Sequence, residues 1–285
     1  VRFLTDVPHP EPIPGVDLVS VASSLPAPLR DLAQLQALVR RLPPSGVVHC
    51  MTAGRFSLIG VGAARLRGLP VALEVTLFGK DDLASVGRRP LGRLQQSLFR
   101  RATRIVNMSP LLQEAVVEAG MDPGRCTVIP NSVDTDTFRS ASLDRKRDLR
   151  QTLGLPSRGP VLLAVGAVIP RKNTLGLVRI FQGLRDGGLS HGTLVLAGPT
   201  EGDPEYLGRV QGLIRELELE DRVRLVGRQE NIQEWMGAGD LFLMASSSEG
   251  FGTVIVEAMS SGLPPVVVGI PGITEHIIED GRTGR

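Results

Sequence analysis

One pattern in this chain limits its fold more than any other. Short apolar, β-branched runs alternate with longer stretches of helical periodicity, and the alternation stops once and then restarts. Strand-like runs fall at 16–21, 47–50, 71–75, 104–107 and 126–129, with amphipathic stretches at 31–42, 56–66, 91–101 and 110–119. Runs that are apolar on both faces and separated by helical patterns belong to parallel sheets covered on both sides. Residues 140–159 break the pattern: they are polar and charge-rich, run into Pro156, Gly159 and Pro160, and hold one short helical stretch at 145–153. Strand-like runs resume at 161–165, 193–196, 223–226, 241–244 and 265–268, with helical stretches at 175–184, 206–217, 232–238 and 254–260. The reading is α/β: two Rossmann-like, doubly wound parallel-sheet domains, residues 1–140 and 160–285, joined by a linker at 141–159. Ligands of such sheets bind at the carboxyl ends of strands, near a reversal of strand order. With two such domains, the cleft they face is the expected site.

A length of 285 residues suits two domains. No apolar run approaches the roughly 20 residues of a membrane-spanning helix. Residues 1–6 contain Asp6 and run into prolines, unlike a signal peptide, and the absence of an initiator Met suggests that the true start is missing. Cys50 and Cys126 are the only cysteines, too few for a disulfide framework or a zinc site, so a reducing, cytoplasmic setting is expected. A net charge of +2, from 32 basic and 30 acidic residues, gives no reason to expect a nucleic-acid partner. The charge is uneven: residues 1–140 hold 16 Lys/Arg against 12 Asp/Glu, and residues 141–285 hold 16 against 18.

The segment from Glu249 to Glu257 carries the chemistry. A buried-strand pattern and a small polar loop (Ala245, Ser246, Ser247, Ser248) lead into Glu249, Gly250, Phe251, Gly252 and Thr253, and then into an apolar helical run containing Glu257. Strand, glycine-containing loop and helix start expose backbone N–H groups with partial positive charge, a setting suited to a phosphate, and Thr253 is the expected cap of that helix. Glu257 sits among Val254, Ile255, Val256, Ala258 and Met259, where a charge is costly unless it is paired or bound. Two such carboxylates are candidates to accept hydrogen bonds from sugar hydroxyls.

Seven residues separate the two glutamates, and the stretch resembles the E-x7-E signature of the group-1 (family 4) retaining glycosyltransferases with the GT-B fold. Other segments are similar to that family too: Val165 to Asn173 with the pair Arg171 and Lys172, Leu196 to Gly198, Val226 and Gly227, Ala238 to Leu243, Gly269 to Ile277, and Ile129 to Asp134. The resemblance covers nearly the whole chain and is strongest after residue 125. It implies a nucleotide diphosphate sugar as co-substrate, a hydroxyl acceptor and no other cofactor. It assigns Arg171 and Lys172 to the donor diphosphate, whose charge grows as the glycosidic bond breaks, and Glu249 to the transferred sugar. Glu257 would hold the ribose, the backbone of Gly250, Phe251, Gly252 and Thr253 would bind phosphate or sugar, and Gly166 would let the chain approach the ligand. Glu249 is not read as a nucleophile.

Two departures from the family pattern stand out. The strand at 71–75 runs into Thr76, Leu77, Phe78 and Gly79 without the family's histidine, leaving Thr76, Lys80, Asp81 and Asp82 as the nearest polar groups. The family's first glycine-rich loop and its C-terminal strand and helix are absent, so truncation at both ends is expected. A degenerate or truncated nucleotide-binding relative without catalysis, or a nucleotide-sugar epimerase, are the alternatives. A nicotinamide oxidoreductase is disfavoured, because no G-x-G-x-x-G follows a strand with an acidic residue at the right distance.

Other signals are weaker. Asp134, Thr135 and Asp136 spell the D-x-D of metal-dependent transferases, but they follow Ile129, Pro130 and Asn131 and read as a turn; no metal site is expected. His49 reads as a core or strand-end histidine, and His9, His191 and His276 carry no motif. Arg88, Arg89, Arg93, Arg100, Arg101 and Arg104 surround Leu91, Leu94, Leu98 and Ala102 at helical spacing. One reading is peripheral contact with an anionic membrane, at the inner face of a cell. The preferred one is a solvated helix face over a buried apolar stripe.

Overall fold

The computed structural model describes residues 2–5, 17–22, 24–26 and 29–285; Val16 of the first strand-like run, and His9, lie outside them. The chain divides into two compact units, Val1–Pro130 and Asn131–Arg285.

In the first unit, β1 (Arg2–Thr5) pairs in parallel with β2 (Asp17–Ser20). Helix α1 (Leu29–Arg41), β3 (Val48–Met51), α2 (Arg55–Leu66) and β4 (Val71–Val75) follow. Then come α3 (Leu83–Gly87), α4 (Gly92–Phe99), β5 (Arg104–Asn107), α5 (Pro110–Glu118) and β6 (Cys126–Val128). Strands β3, β4, β5 and β6 form a parallel sheet in that order. Val71, Leu73, Val75 and Ile105 are buried on one face with Val61, Phe99, Leu112 and Val116 of the covering helices. His49 lies on the other face, exposed, with Nε2 3.0 Å from Glu74 Oε2, so it is a surface residue of β3 and not a core histidine.

Two elements here escaped the periodicity. Strand β1 is one. The other is α3, a five-residue helix set by its cap: Asp82 accepts from Ser85 N–H at 2.8 Å and from Gly79 N–H at 2.7 Å. Asp81 accepts from Thr76 N–H, Thr76 Oγ1–H and Leu77 N–H. Both buried carboxylates are therefore occupied in shaping the loop after β4. Leu91, placed by sequence in a buried stripe, is 76% exposed, and Leu94 is 61% exposed. The α3–α4 turn is the reason: Leu91 adopts φ 58°, a left-handed backbone costing a leucine about 1 kcal/mol, and it points away from Phe99, which is the residue of α4 that fills the core.

The second unit holds α6 (Leu143–Thr152), β7 (Val161–Val165), α7 (Thr174–Asp186), β8 (Thr193–Ala197) and α8 (Pro204–Glu216). It continues with β9 (Val223–Gly227), α9 (Ile232–Ala238), β10 (Leu241–Met244), α10 (Thr253–Ser260) and β11 (Pro265–Val267). Every pairing is parallel, in the order β11-β10-β7-β8-β9. This is a doubly wound sheet whose order reverses between β7 and β10, and the turns after those two strands flank the reversal. Leu162, Ala164, Leu194 and Leu196 pack with Val178 and Phe181 of α7 and Val210 and Ile214 of α8. The polar stretch expected as a linker at 141–159 is part of this unit. Leu149 of α6 is buried, and Asp240 gathers Lys146 Nζ at 2.7 Å, the Arg150 guanidinium and the Val161 N–H at 2.7 Å. Burial opposes ionisation of Asp240, but these donors hold its carboxyl below the ordinary value.

The carboxyl ends of β7 and β8 touch through glycine. A Cβ on Gly198 (φ +150°) would sit 2.1 Å from Gly166 O. We expect Gly198→Ala to cost about 2 kcal/mol through overpacking against backbone. Gly208→Ala, in α8 with nothing within 4 Å of the new methyl, should gain up to about 1 kcal/mol. Urea denaturation of both variants measures the contrast.

Candidate functional site

The switch point of the second sheet is where the singled-out residues meet. After β7 the chain turns at Gly166 and reaches a short 3-10 turn, Pro170–Lys172, ahead of α7. Proline starts that turn and Asn173, in a left-handed conformation, both ends it and caps α7 by accepting from Gly176 N–H. This geometry sets Arg171 and Lys172 side by side over the sheet edge. The Lys172 stem crosses Gly166 so closely that a Cβ there would lie 3.2 Å from Lys172 Cε.

The loop after β10 supplies the opposite charge. Glu249 is buried and accepts from Lys172 Nζ at 2.6 Å on Oε1, with Arg171 Nη1 3.1 Å from Oε2. Arg171 Nη1 also donates to Ser248 O at 2.7 Å, and Ser247 N–H donates back to Arg171 O at 2.9 Å. Two loops joined to neighbouring strands are thus laced by ion pairs and by backbone. Burial of Glu249 opposes its ionisation, but the Lys172 ammonium above all, with a smaller part from the Arg171 guanidinium, holds its carboxyl below the ordinary range. Beneath these side chains a cavity of about 20 Å³, lined by Gly166, Lys172, Thr174, Leu177, Ala245 and Ser246, has room for a water molecule.

Helix α10 begins at the end of the same loop. Gly252 takes φ +90° as its first flanking residue, a conformation open to glycine, and a Cβ there would press on Ile255 at 2.9 Å. No side chain caps the helix. Thr253, expected as the cap, is instead its first residue, and its Oγ1 accepts from Asn131 Nδ2 at 2.8 Å. Among the described residues no group accepts from the N–H of Thr253 or Val254, which leaves partial positive charge facing outward. Gly250 and Gly252 are buried, and Phe251 is half-buried. At the other end of the helix, Ser260 Oγ donates to Phe138 O at 2.5 Å. Asn131 thus belongs to the site's framework although no motif role was read for it; its place directly after Pro130 was the available signal.

Glu257 faces a different environment from Glu249. It is half-buried, and its carboxylate has no hydrogen-bond or ion-pair partner among the described residues. Burial alone pushes its carboxyl above the ordinary value. An unpaired, partly desolvated carboxylate lowers stability unless something binds to it. The structure therefore brings together Gly166, Arg171, Lys172, Glu249 and the loop 250–253, with Glu257 one turn along α10. Elsewhere, Asp134 accepts from Asp136 N–H, Thr137 N–H and Thr137 Oγ1–H, as expected of a turn. His276 is exposed, in a short 3-10 turn. Among the described residues no cluster of three metal-ligating side chains occurs and no helix is long and apolar enough to cross a membrane.

This chain matches two sequence families: the one described as Glycosyl transferases group 1, over residues 145–285, and the Glycosyl transferase 4-like domain, over residues 2–132. It is 31% identical, over 233 residues, to a D-inositol 3-phosphate glycosyltransferase 2 of Catenulispora acidiphila, covering 76% of this chain and 53% of that protein. It is 28% identical, over 86% of this chain and 63% of the relative, to the UDP-Gal:alpha-D-GlcNAc-diphosphoundecaprenol alpha-1,3-galactosyltransferase of Escherichia coli. The chain spans about half the length of the first of these relatives. Among solved structures it is similar to Anabaena HepE in complex with UDP-glucose, with TM-score 0.79 and 25% identity over 94% of this chain and 71% of that one. WaaG, a glycosyltransferase involved in lipopolysaccharide biosynthesis, is similar in fold with TM-score 0.72 at 19% identity, over 97% of this chain and 74% of WaaG.

The two glutamates should respond oppositely to substitution. Glu249 titrates below its unfolded value, so its stabilisation is present above the ordinary glutamate range, about pH 4–5, and is lost as pH falls through the lower folded value. Glu249→Gln should destabilise at neutral pH by leaving Lys172 and Arg171 unpaired. Glu257 titrates above its unfolded value, so stability falls as pH rises from the unfolded through the folded value. Glu257→Gln should therefore raise stability at neutral pH. Urea titrations at pH 7 and pH 4 measure both signs.

Proposed function

We propose, from the premise that this chain belongs to the group 1 glycosyl transferases and carries their GT-B fold, that it transfers a sugar from a nucleoside diphosphate sugar to a hydroxyl acceptor, with retention of anomeric configuration. The observation that carries this reading is the convergence of Lys172, Arg171 and Glu249 over Gly166, beside the uncapped start of α10. Two cations and one carboxylate leave a net positive charge, to which α10 adds its dipole. A diphosphate fits such a place. As the glycosidic bond breaks, the departing diphosphate gains charge, and cations already fixed by Glu249 stabilise it without reorganising.

Glu249 has a double part in this reading. It positions both cations, and its ionised carboxylate is an acceptor for hydroxyls of the transferred sugar. Glu257, unpaired until a ligand arrives, accepts from the ribose hydroxyls, and that contact offsets the cost of its burial. Arg171 and Lys172 do the work that a divalent cation does in other transferases, so turnover is expected to persist in chelator. Retention is attributed to departure and attack on one face of the sugar, with no covalent intermediate on Glu249. The setting is read as cytoplasmic, with peripheral membrane contact through residues 88–104.

Calorimetry with a panel of nucleoside diphosphate sugars tests the reading, and UDP-sugars come first because HepE holds UDP-glucose. Lys172→Ala should weaken donor binding about a hundredfold, the cost of removing one member of a partly buried charged cluster, and Glu257→Ala should weaken it at least about tenfold. Undiminished binding in both variants overturns the site. Donor binding with no release of nucleoside diphosphate in the presence of acceptor would replace transfer by a binding-only role.

A further inference from the structure

We propose that Asn131 and Thr253 act together on the donor diphosphate: Asn131 donates to the Thr253 hydroxyl oxygen, and the hydroxyl's own proton is thereby left for a phosphate oxygen. The assignment rests on the transfer reading above. Thr253 is the group that touches the ligand, and Asn131 is a positioning residue.

A threonine hydroxyl has one proton and two lone pairs. Asn131 Nδ2 lies 2.8 Å from Thr253 Oγ1 and donates to it, so the O–H does not point back at Asn131. Among the described residues that O–H has no acceptor. Gly252, at φ +90°, takes the flanking position ahead of α10, which puts Thr253 one residue past the place from which a side chain caps a helix. The half-buried hydroxyl therefore stands as a third donor beside the open N–H groups of Thr253 and Val254. The loop leading into this helix start is the one that presents Glu249 to Lys172 and Arg171. An aspartate at 131 would reverse the arrangement: its carboxylate would take the hydroxyl proton and set a negative charge against the diphosphate.

Asn131 is held in place from the far end of α10. Ser260 Oγ donates to Phe138 O, and a Cβ on Gly262 would lie 2.6 Å from Ser140 Oγ, so the chain after Asn131 passes close against the end of the helix. The Asn131–Thr253 and Phe138–Ser260 contacts each join residues 122 positions apart. Segment and helix thus run in the same direction between the two ties. The steps from Thr253 to Ser260 and from Asn131 to Phe138 are equal; in a helix such a step rises about 10 Å, whereas in an extended chain it would span about 23 Å. The turn at Asp134 absorbs the difference. Its side chain accepts from the N–H groups of Asp136 and Thr137, and its carbonyl accepts from Phe138 N–H at 2.8 Å. The triplet Asp134, Thr135 and Asp136 gains a role by this count: it shortens the segment until Asn131 meets the first turn of α10 while Phe138 meets the last. A tie that served the fold alone would work with either partner as donor, but a hydroxyl facing a phosphate works with one direction only.

Calorimetry of the whole chain with UDP, GDP, ADP and dTDP identifies the nucleoside diphosphate that binds best, and the variants are compared with it. Thr253→Val should weaken its binding about tenfold, the loss of one hydrogen bond to a charged group. Thr253→Ser, which restores the hydroxyl, should recover most of that loss. Asn131→Asp should weaken binding at least about tenfold and Asn131→Ala about threefold. Once Thr253 is Val, Asn131→Ala should cost nothing further, as partners in one interaction require. Binding of the matching free nucleoside, followed by saturation-transfer NMR, should hold in every variant, because the contact is with phosphate; misfolding would reduce both. Undiminished diphosphate binding by Thr253→Val, a Thr253→Ser variant as weak as Thr253→Val, independent losses in the double variant, or an equal loss of nucleoside binding overturns the proposal and leaves the transfer reading standing. Failure of the unaltered protein to bind any of the four diphosphates overturns the transfer reading, and this assignment with it.

Discussion

The Glu249 carboxylate stands between two cations that come from another strand, and the carboxyl edge of the second unit is organised around that contact. Lys172 and Glu249 are 77 positions apart in sequence and meet because β7 and β10 are neighbours in a sheet whose order reverses between them. Without the carboxylate, two partly buried cations would repel each other across a turn that has no other acidic group in contact. Without the cations, the carboxylate would be buried and unpaired, a cost of several kcal/mol for a group removed from water. The bonds from the Arg171 guanidinium to Ser248 O and from Ser247 N–H to Arg171 O then fix the two loops in one register. The bare start of α10 and the crossing of Lys172 over Gly166 both follow from that register.

The α/β alternation was legible because a buried parallel strand must be apolar on both faces, and the runs at 161–165 and 241–244 coincide with β7 and β10. The site was legible as a set of residues, through the spacing of Glu249 and Glu257 and the pair Arg171 and Lys172. Its wiring was not. Periodicity gives no sign that Glu249 would be held by the same two cations that the resemblance assigns to a diphosphate, since their contact is a consequence of strand order. Nor does a threonine at a helix start reveal whether its hydroxyl will cap the helix or accept from Asn131. The polar stretch at 140–159 reads as a connection by composition, yet Asp240 draws Lys146 and Arg150 onto the second sheet. Short elements fail for a related reason: α3 exists through two backbone bonds to Asp82 and is too brief to leave a period.

Leu91 shows the limit of periodicity most plainly. Spacing groups Leu91, Leu94 and Leu98 on one stripe, but Leu91 lies ahead of α4 in a left-handed turn, and a stripe is buried only if something covers it. In the first unit the core contact of α4 is made by Phe99, one residue off that stripe, and the left-handed turn directs Leu91 elsewhere. The sequence pattern of a covering helix and that of a helix offering its apolar face outward are the same; tertiary packing separates them.

Two features in this chain lower its stability with no compensation inside the fold: the unpaired carboxylate of Glu257 and the strained, solvated side chain of Leu91. They are of different chemical kinds and lie in different units, so no single local defect accounts for both. A Gln at 257 or an Asn at 91 would fit the same backbone, so neither cost is imposed by the fold itself. For Glu257 the hydroxyl donors of the proposed ligand would offset that cost. Local breaches of the rules that otherwise specify a fold concentrate where function is carried. By that reasoning Glu257, and not the well-paired Glu249, is the site carboxylate whose folded-state energetics a bound ligand would complete.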